Sequence, residues 1–200
     1  MIALVDYAAG NLKSVSRALD FLKVQNEITD DPVKIEKADA VVIPGVGAAG
    51  PAMRALNEKG ITAVLQKHCA DDKPFFGICL GLQILFERSE EDGSECLGVL
   101  AGKVRKLSGK DIKIPHIGWN PVDYETPPQI LEGVTSGTPF YFVHSYISEP
   151  QDKNVIKATT THGETFPTVV QKGNTWGVQF HPEKSGKVGL RVLENFVKLI

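Results

Sequence analysis

Phe75-Phe76-Gly77-Ile78-Cys79-Leu80-Gly81-Leu82-Gln83 is the stretch whose reading decides the fold. The apolar run from Pro74 to Ile78 has the length and aromatic content of a buried strand. Leu80 to Arg88 reads as a helix with Leu82, Leu85 and Phe86 along one side. Cys79 stands at the join, between Gly77 and Gly81 in a G-x-C-x-G frame. A sharp strand-to-helix turn of this kind exposes a nucleophile, and the glycines are expected to keep Cβ atoms out of its approach. A thiol at the first turn of a helix is favoured as thiolate, and the Leu80 N–H just after it is a candidate oxyanion donor. The alternative is a small core cysteine packed between two glycines.

Outward from this join, the first half alternates strand and helix. Strands are expected over Ile2–Tyr7, Glu27–Thr29 and Ala40–Ile43; helices over Pro32–Lys37, Pro51–Lys59 and Ile61–Ala70. Leu12, Val15, Ala18, Leu19 and Leu22 fall at helical spacing, with Gly10-Asn11 as turn and N-cap. Short connections between such elements predict a mostly parallel central sheet flanked by helices. Functional groups in these sheets gather at the carboxyl ends of strands, where Tyr7, Pro44-Gly45-Val46-Gly47 and Cys79 all fall.

The second half is β-rich and partly antiparallel. Strands are read at Val99–Leu107, Val122–Tyr124, Phe140–Ile147, Val155–Thr161, Thr168–Gln171 and Trp176–Phe180, before a last helix, Val188–Leu199. Lys172-Gly173-Asn174 reads as a hairpin turn. The absence of repeats, low-complexity runs and linkers predicts one α/β domain over 1–200.

Composition narrows the classes of function. The net charge is −2, with no basic stripe for nucleic acid. The acidic cluster Glu87–Glu95 is read as a solvated helix end and loop. Three cysteines without C-x-x-C spacing argue against a disulfide framework or a zinc ribbon, and the five histidines form no ligand cluster, so neither metal nor cofactor is expected. No segment reads as a signal peptide or membrane span, so a soluble cytosolic protein is expected.

The strand Trp176–Phe180 runs into His181-Pro182-Glu183. A period of two points His181 and Glu183 to one side, with Pro182 holding His181 extended. A carboxylate beside a histidine sets its tautomer and steadies its imidazolium, as a cysteine nucleophile requires of its base. A lone histidine is otherwise an ordinary surface or core residue.

These motifs carry a resemblance. The elbow from Gly77 to Gln83, the turn from Pro44 to Gly47 and the late His181-Pro182-Glu183 together resemble the class I glutamine amidotransferases along nearly the whole chain. The resemblance implies that Cys79 attacks the side-chain amide of glutamine, His181 relays protons and Glu183 orients the histidine. Val46 and Gly47, with Leu80, would supply the backbone oxyanion hole. Gln83, Ser145 and Tyr146 would bind glutamine, although Ser145 and Tyr146 also fit plain strand residues.

Asp6 to Leu12, Pro115-His116-Ile117-Gly118-Trp119-Asn120, Phe142 to Tyr146 and His181 to Ser185 resemble one branch of that family. Its members feed ammonia to a (β/α)8-barrel cyclase that makes imidazole glycerol phosphate and aminoimidazole carboxamide ribotide in histidine biosynthesis. Ala8 departs from that branch, where glycine is usual, and so does Ala49. The implied partner is the cyclase, and Asn11, Trp119, Asn120, Tyr141 and Lys184 are the candidate contact residues; Trp119 also fits a core aromatic. Sister branches serving anthranilate, aminodeoxychorismate or pyridoxal phosphate synthesis share the elbow, as would a non-enzymatic module that kept the fold.

Overall fold

Ile2–Val5, Ala40–Gly45 and Phe75–Cys79 are buried at every position, as strands covered on both faces must be. The computed structural model describes residues 1–8, 11–109 and 112–200. In chain order its elements are β1 (Ile2–Val5), α1 (Leu12–Phe21), β2 (Asn26–Thr29), α2 (Pro32–Lys37), β3 (Ala40–Gly45) and α3 (Ala49–Glu58). Next come α4 (Ile61–Ala70), β4 (Phe75–Cys79), α5 (Leu80–Gln83), β5 (Arg88–Ser89), β6 (Gly102–Lys106) and β7 (His116–Val122). The chain closes with β8 (Thr138–His144), β9 (Tyr146–Pro150), β10 (Ile156–His162), β11 (Glu164–Lys172), β12 (Thr175–Val178) and α6 (Gly186–Val197).

A seven-stranded sheet has the order β10-β11-β12-β4-β3-β1-β2. From β12 to β2 every pairing is parallel, and β11 and β10 add an antiparallel edge. Strands β5-β6-β9 and β7-β8 form two smaller sheets, so the expected β-rich, partly antiparallel second half is present. Alternate residues of β1 go to opposite apolar layers: Ile2 and Leu4 pack with α1 and α6, Ala3 and Val5 with α2, α3 and α4. Phe76 of β4 stacks on Phe196 of α6, ring centroids 5.0 Å apart, which closes the first layer.

Several elements differ from their expected extent. The helix after Cys79 is one turn, not Leu80–Arg88. The carbonyls that would continue it are claimed from far along the chain: Ile84 C=O by Leu97 N–H, Leu85 C=O by Leu100 N–H and Phe86 C=O by Gly98 N–H, each at 2.9 Å. The strand over Phe140–Ile147 is two strands, because β8 pairs with β7 and β9 with β6, and the chain changes sheets at Ser145. Val122 ends β7 rather than beginning a strand.

Asn11 precedes α1 without capping it: its Oδ1 accepts from Ser14 Oγ at 2.7 Å and makes no bond to a backbone N–H. The turn read at Gly10 lies outside the described residues. The acidic cluster is solvated as expected, with Glu87, Glu90, Asp92 and Glu95 exposed, but it lies in turns and loop beyond the end of α5, and two of its carboxylates are bound to backbone. Asp92 Oδ2 accepts the Gly50 N–H at 2.8 Å in the first turn of α3, whose own preceding residue Ala48 has no side chain to cap it, and Glu87 Oε2 accepts the Gly102 N–H at 2.8 Å. No helix among the described residues is long and apolar enough to cross a membrane.

Candidate active site

Cys79 ends β4 and precedes α5 with φ 54° and ψ −104°. A side chain held in that region costs on the order of 1–3 kcal/mol, so the surrounding packing imposes the turn. The flanking glycines explain how. A Cβ on Gly77 would lie 2.4 Å from the Gly81 carbonyl oxygen, and one on Gly81 would lie 1.9 Å from the Ile43 carbonyl oxygen. The glycines therefore let β4, α5 and β3 close backbone to backbone, instead of clearing a path to the sulfur as the motif suggested. The strain falls on the cysteine alone.

His181 lies beyond the end of β12, which pairs in register with β4 (Val178 opposite Ile78). Its backbone is extended, as Pro182 requires, but Glu183 sits in a 3-10 turn over Pro182–Lys184, not on a continuing strand. The turn still brings the carboxylate back: Glu183 Oε1 accepts from His181 Nδ1 at 2.8 Å, and both side chains are buried. A carboxylate only accepts, so Nδ1 carries the proton and Nε2 is left for Cys79. Nε2 completes no hydrogen bond among the described residues. Burial opposes the imidazolium, yet the facing Cys79 sulfur and the Glu183 carboxylate outweigh it, and His181 is pushed up to about 9. The His181 carbonyl is fixed in turn by Ser185 Oγ at 2.7 Å, and its N–H by the Tyr141 carbonyl at 2.9 Å.

A cavity of about 360 Å³ opens over the sulfur. Val46, Gly47, Leu80, Gln83, Ser145 and Tyr146 all line it, so every oxyanion and glutamine-binding candidate meets Cys79 in one place. Larger surface hollows, one of them beside Gln66 and Cys69, do not border the sulfur. Gly47 has φ 103° and nothing within 4 Å of a Cβ position, and Val46 is exposed. Gly45 is the opposite case: a Cβ there would lie 2.0 Å from the Tyr7 hydroxyl, which donates to the Pro44 carbonyl at 3.0 Å. Burial and the Cys79 charge raise the Tyr7 phenol well above its ordinary range, so it stays a neutral donor. No group of three or more His, Cys, Asp or Glu among the described residues is placed to hold a metal ion.

The family profile described as glutamine amidotransferase class-I matches residues 3–200. The chain belongs to the class I glutamine amidotransferases. The "Imidazole glycerol phosphate synthase subunit HisH" of Moorella thermoacetica is 48% identical over 200 residues, covering 100% of this chain and 95% of that protein. The "Imidazole glycerol phosphate synthase subunit HisH 1" of Methanococcus maripaludis is 45% identical over 205 residues, covering 100% of both. Among solved structures, one titled "Crystal structure of glutamine amidotransferase" superposes with TM-score 0.78 at 20% identity, covering 100% of this chain and 98% of that one. "Structure of PurLQS from Thermotoga maritima" does so at 0.76 and 19%, covering 99% and 97%.

The remaining candidates of this amidotransferase divide into two groups. Trp119 and Tyr141 are cross-strand partners with ring centroids 5.9 Å apart, and Lys184 Nζ lies 5.7 Å from the Tyr141 ring centroid. Trp119 is 56% exposed, so it is no core aromatic. Asn11 is tied to the buried carboxylate, its Nδ2 3.5 Å from Glu183 Oε1. Asn120 is on the other face of β7. It meets His116 Nε2 at 2.7 Å and donates to the Thr161 carbonyl at 3.3 Å.

Two further residues of the site escaped the sequence reading. Glu91 brings a half-buried carboxylate to the cavity rim, with its pKa raised by burial. Its only signal was membership of an acidic run, which also describes solvent-facing loops. Gln179 is fully buried against the sulfur, its Nε2 3.6 Å from Cys79 Sγ, and in sequence it reads as one more strand residue.

Proposed function

We propose that this amidotransferase hydrolyses glutamine to glutamate and ammonia and delivers the ammonia to a (β/α)8-barrel cyclase, as the glutaminase subunit of imidazole glycerol phosphate synthase. The observation that carries the reading is the buried Glu183–His181 pair, at the end of the strand beside β4, together with a cysteine on a strained turn beneath a cavity.

In the first half-reaction the Cys79 sulfur attacks the γ-amide carbon, and the carbonyl oxygen becomes an oxyanion. Leu80 N–H, at the start of α5 where no earlier turn accepts it, and the peptide N–H groups of Val46 and Gly47 are its donors. The C–N bond breaks as the His181 imidazolium gives its Nε2 proton to the departing nitrogen, which leaves as ammonia. The γ-glutamyl thioester remains on Cys79. In the second half His181 takes a proton from water, the hydroxide adds to the thioester carbon, and the thiolate leaves as glutamate forms. Glu183 holds the imidazole in the tautomer and orientation both halves need.

Recognition of glutamine follows from the rim. Gln83 is held by its own NH₂ group and its Oε1 takes no hydrogen bond among the described residues, so it is the acceptor left for substrate. Glu91 complements the α-ammonium, and Ser145 and Tyr146 close the carboxylate side.

Trp119, Tyr141 and Lys184, with exposed Ile117 on the same strand, fit the contact face for the cyclase. The pull of that partner would reach His181 through Asn11 and Glu183, and the oxyanion turn at Gly47, whose surroundings leave a peptide rotation room. Glutamate release from glutamine, measured with and without the cyclase and its nucleotide, tests the assignment. Release that rises with both supports it; release that ignores them, or none at all, overturns it.

A further inference from the structure

We propose that Gln179 is a positioning residue for the glutaminase reaction: one buried amide that both aims an N–H at the Cys79 sulfur and holds Gln83 against the cavity. The inference rests on the reading of Cys79 as nucleophile and Gln83 as substrate contact.

The orientation of this amide follows from a backbone atom. The Tyr146 carbonyl oxygen can only accept. It takes His144 Nδ1–H at 2.9 Å and Gln83 Nε2–H at 2.9 Å. The end of the Gln83 amide at that carbonyl is therefore NH₂. Its second hydrogen points to Gln179, 3.2 Å away, which must offer its own oxygen, Oε1. With Oε1 committed, the Gln179 NH₂ group is turned to Cys79 Sγ at 3.6 Å. A fixed carbonyl thus sets one amide, which sets the next, which delivers a donor to sulfur. Reversing either amide would face like atoms across a buried contact.

Burial makes this arrangement costly to keep for packing alone. Gln179 is 0% exposed, and its amide has no side-chain partner outside Cys79 and Gln83 among the described residues. An aliphatic side chain would fill the same space without a polar group to satisfy. The backbone is equally settled: the Gln179 N–H donates to Thr168 C=O at 2.9 Å, one residue past the Val178–Ile78 pairing that brings β12 beside β4. A donor that lies at the sulfur before reaction supports negative charge there when the thioester breaks and the thiolate leaves. It touches neither glutamine nor the migrating proton; its contacts are the sulfur and Gln83, which it holds in place.

The test uses the complex with its cyclase, and two variants. Gln179→Met keeps length and removes both functions of the amide. Gln179→Glu keeps an acceptor for Gln83 and replaces the donor at sulfur by an oxygen. With Gln179→Met, kcat should fall about 10- to 100-fold and KM for glutamine should rise. With Gln179→Glu, kcat should fall at least as far while KM changes less. Iodoacetamide alkylation of Cys79 in the isolated chain, followed against pH, should slow in both and most in Gln179→Glu. Synthesis from ammonium salts should be unaltered. Alkylation profiles, kcat and KM all within about twofold of the parent in either folded variant would overturn the proposal. A parent complex that releases no glutamate would instead overturn the glutaminase reading, and the alkylation profiles would still judge the N–H···S contact.

Discussion

Gly81 lies so close to β3 that a Cβ added to it would meet the Ile43 carbonyl oxygen at 1.9 Å. Backbone cannot swing aside as the end of a long side chain can, so Gly81→Ala must push α5 away from the sheet. A loss of about 3 kcal/mol is expected by urea denaturation. Gly60→Ala is the control: with φ 68° but nothing within 4 Å of its Cβ position, it should cost only about 1 kcal/mol. Equal losses would mean that the elbow does not depend on this close approach.

The roles given to sulfur and imidazole predict a separable defect. In the complex, Cys79→Ser should lower glutamine-dependent synthesis by about 10⁴-fold and leave synthesis from ammonium salts unchanged. Product formation from each nitrogen source is the measurement. Loss of both activities would make Cys79 a structural residue.

Two buried histidines give stability opposite slopes in pH. His181 is raised in the fold to about 9, so its contribution is complete below its unfolded value of 6.5 and is lost as pH rises from there through about 9. His144 is depressed to about 3, first by burial, while its Nδ1–H is held by the Tyr146 carbonyl. Between pH 6.5 and about 3 the unfolded chain binds a proton at this residue that the fold refuses, so stability falls as pH falls. Denaturant midpoints across pH should therefore peak near neutrality. His144→Gln should flatten the acid side, and Glu183→Gln the alkaline side. Unaltered slopes would refute the assignment.

Ala8 occupies φ 66°, where an L side chain is strained, and its N–H is held by Asp6 Oδ1 at 2.9 Å. Glycine adopts this backbone without penalty. Ala8→Gly should raise stability by about 1 kcal/mol, read as a higher melting temperature. An unchanged or lower melting point would show that the Asp6–Ala8 turn is not under strain.

Local pattern carried much of the fold. Helices Pro32–Lys37 and Ile61–Ala70 have the ends read from sequence, since Asp31 caps the first and left-handed Gly60 opens the second. The parallel core was legible because its strands are apolar throughout. What sequence hid lies in bonds between distant residues. The helix after Cys79 stops because Leu97, Gly98 and Leu100 take its carbonyls, and no window around Leu85 contains that information. Ser145 breaks an apparently continuous strand because two different sheets compete for its flanks. At the site, Cys79, His181 and Glu183 announced themselves through motif chemistry. Glu91 did not, since a carboxylate at a cavity rim and one in water are spelled alike. Asn120 looked like a contact residue beside Trp119, but strand alternation turns it to the opposite face, onto His116.

The sheet order also bears on how the site comes together. The sulfur belongs to β4, yet the strand that sits next to it, β12, comes after all the other strands described and wedges between β4 and β11. Without β12, β4 would be the edge of the parallel sheet, paired to β3 alone. The imidazole that follows β12 is therefore brought beside the sulfur only by the pairing of β12 with β4.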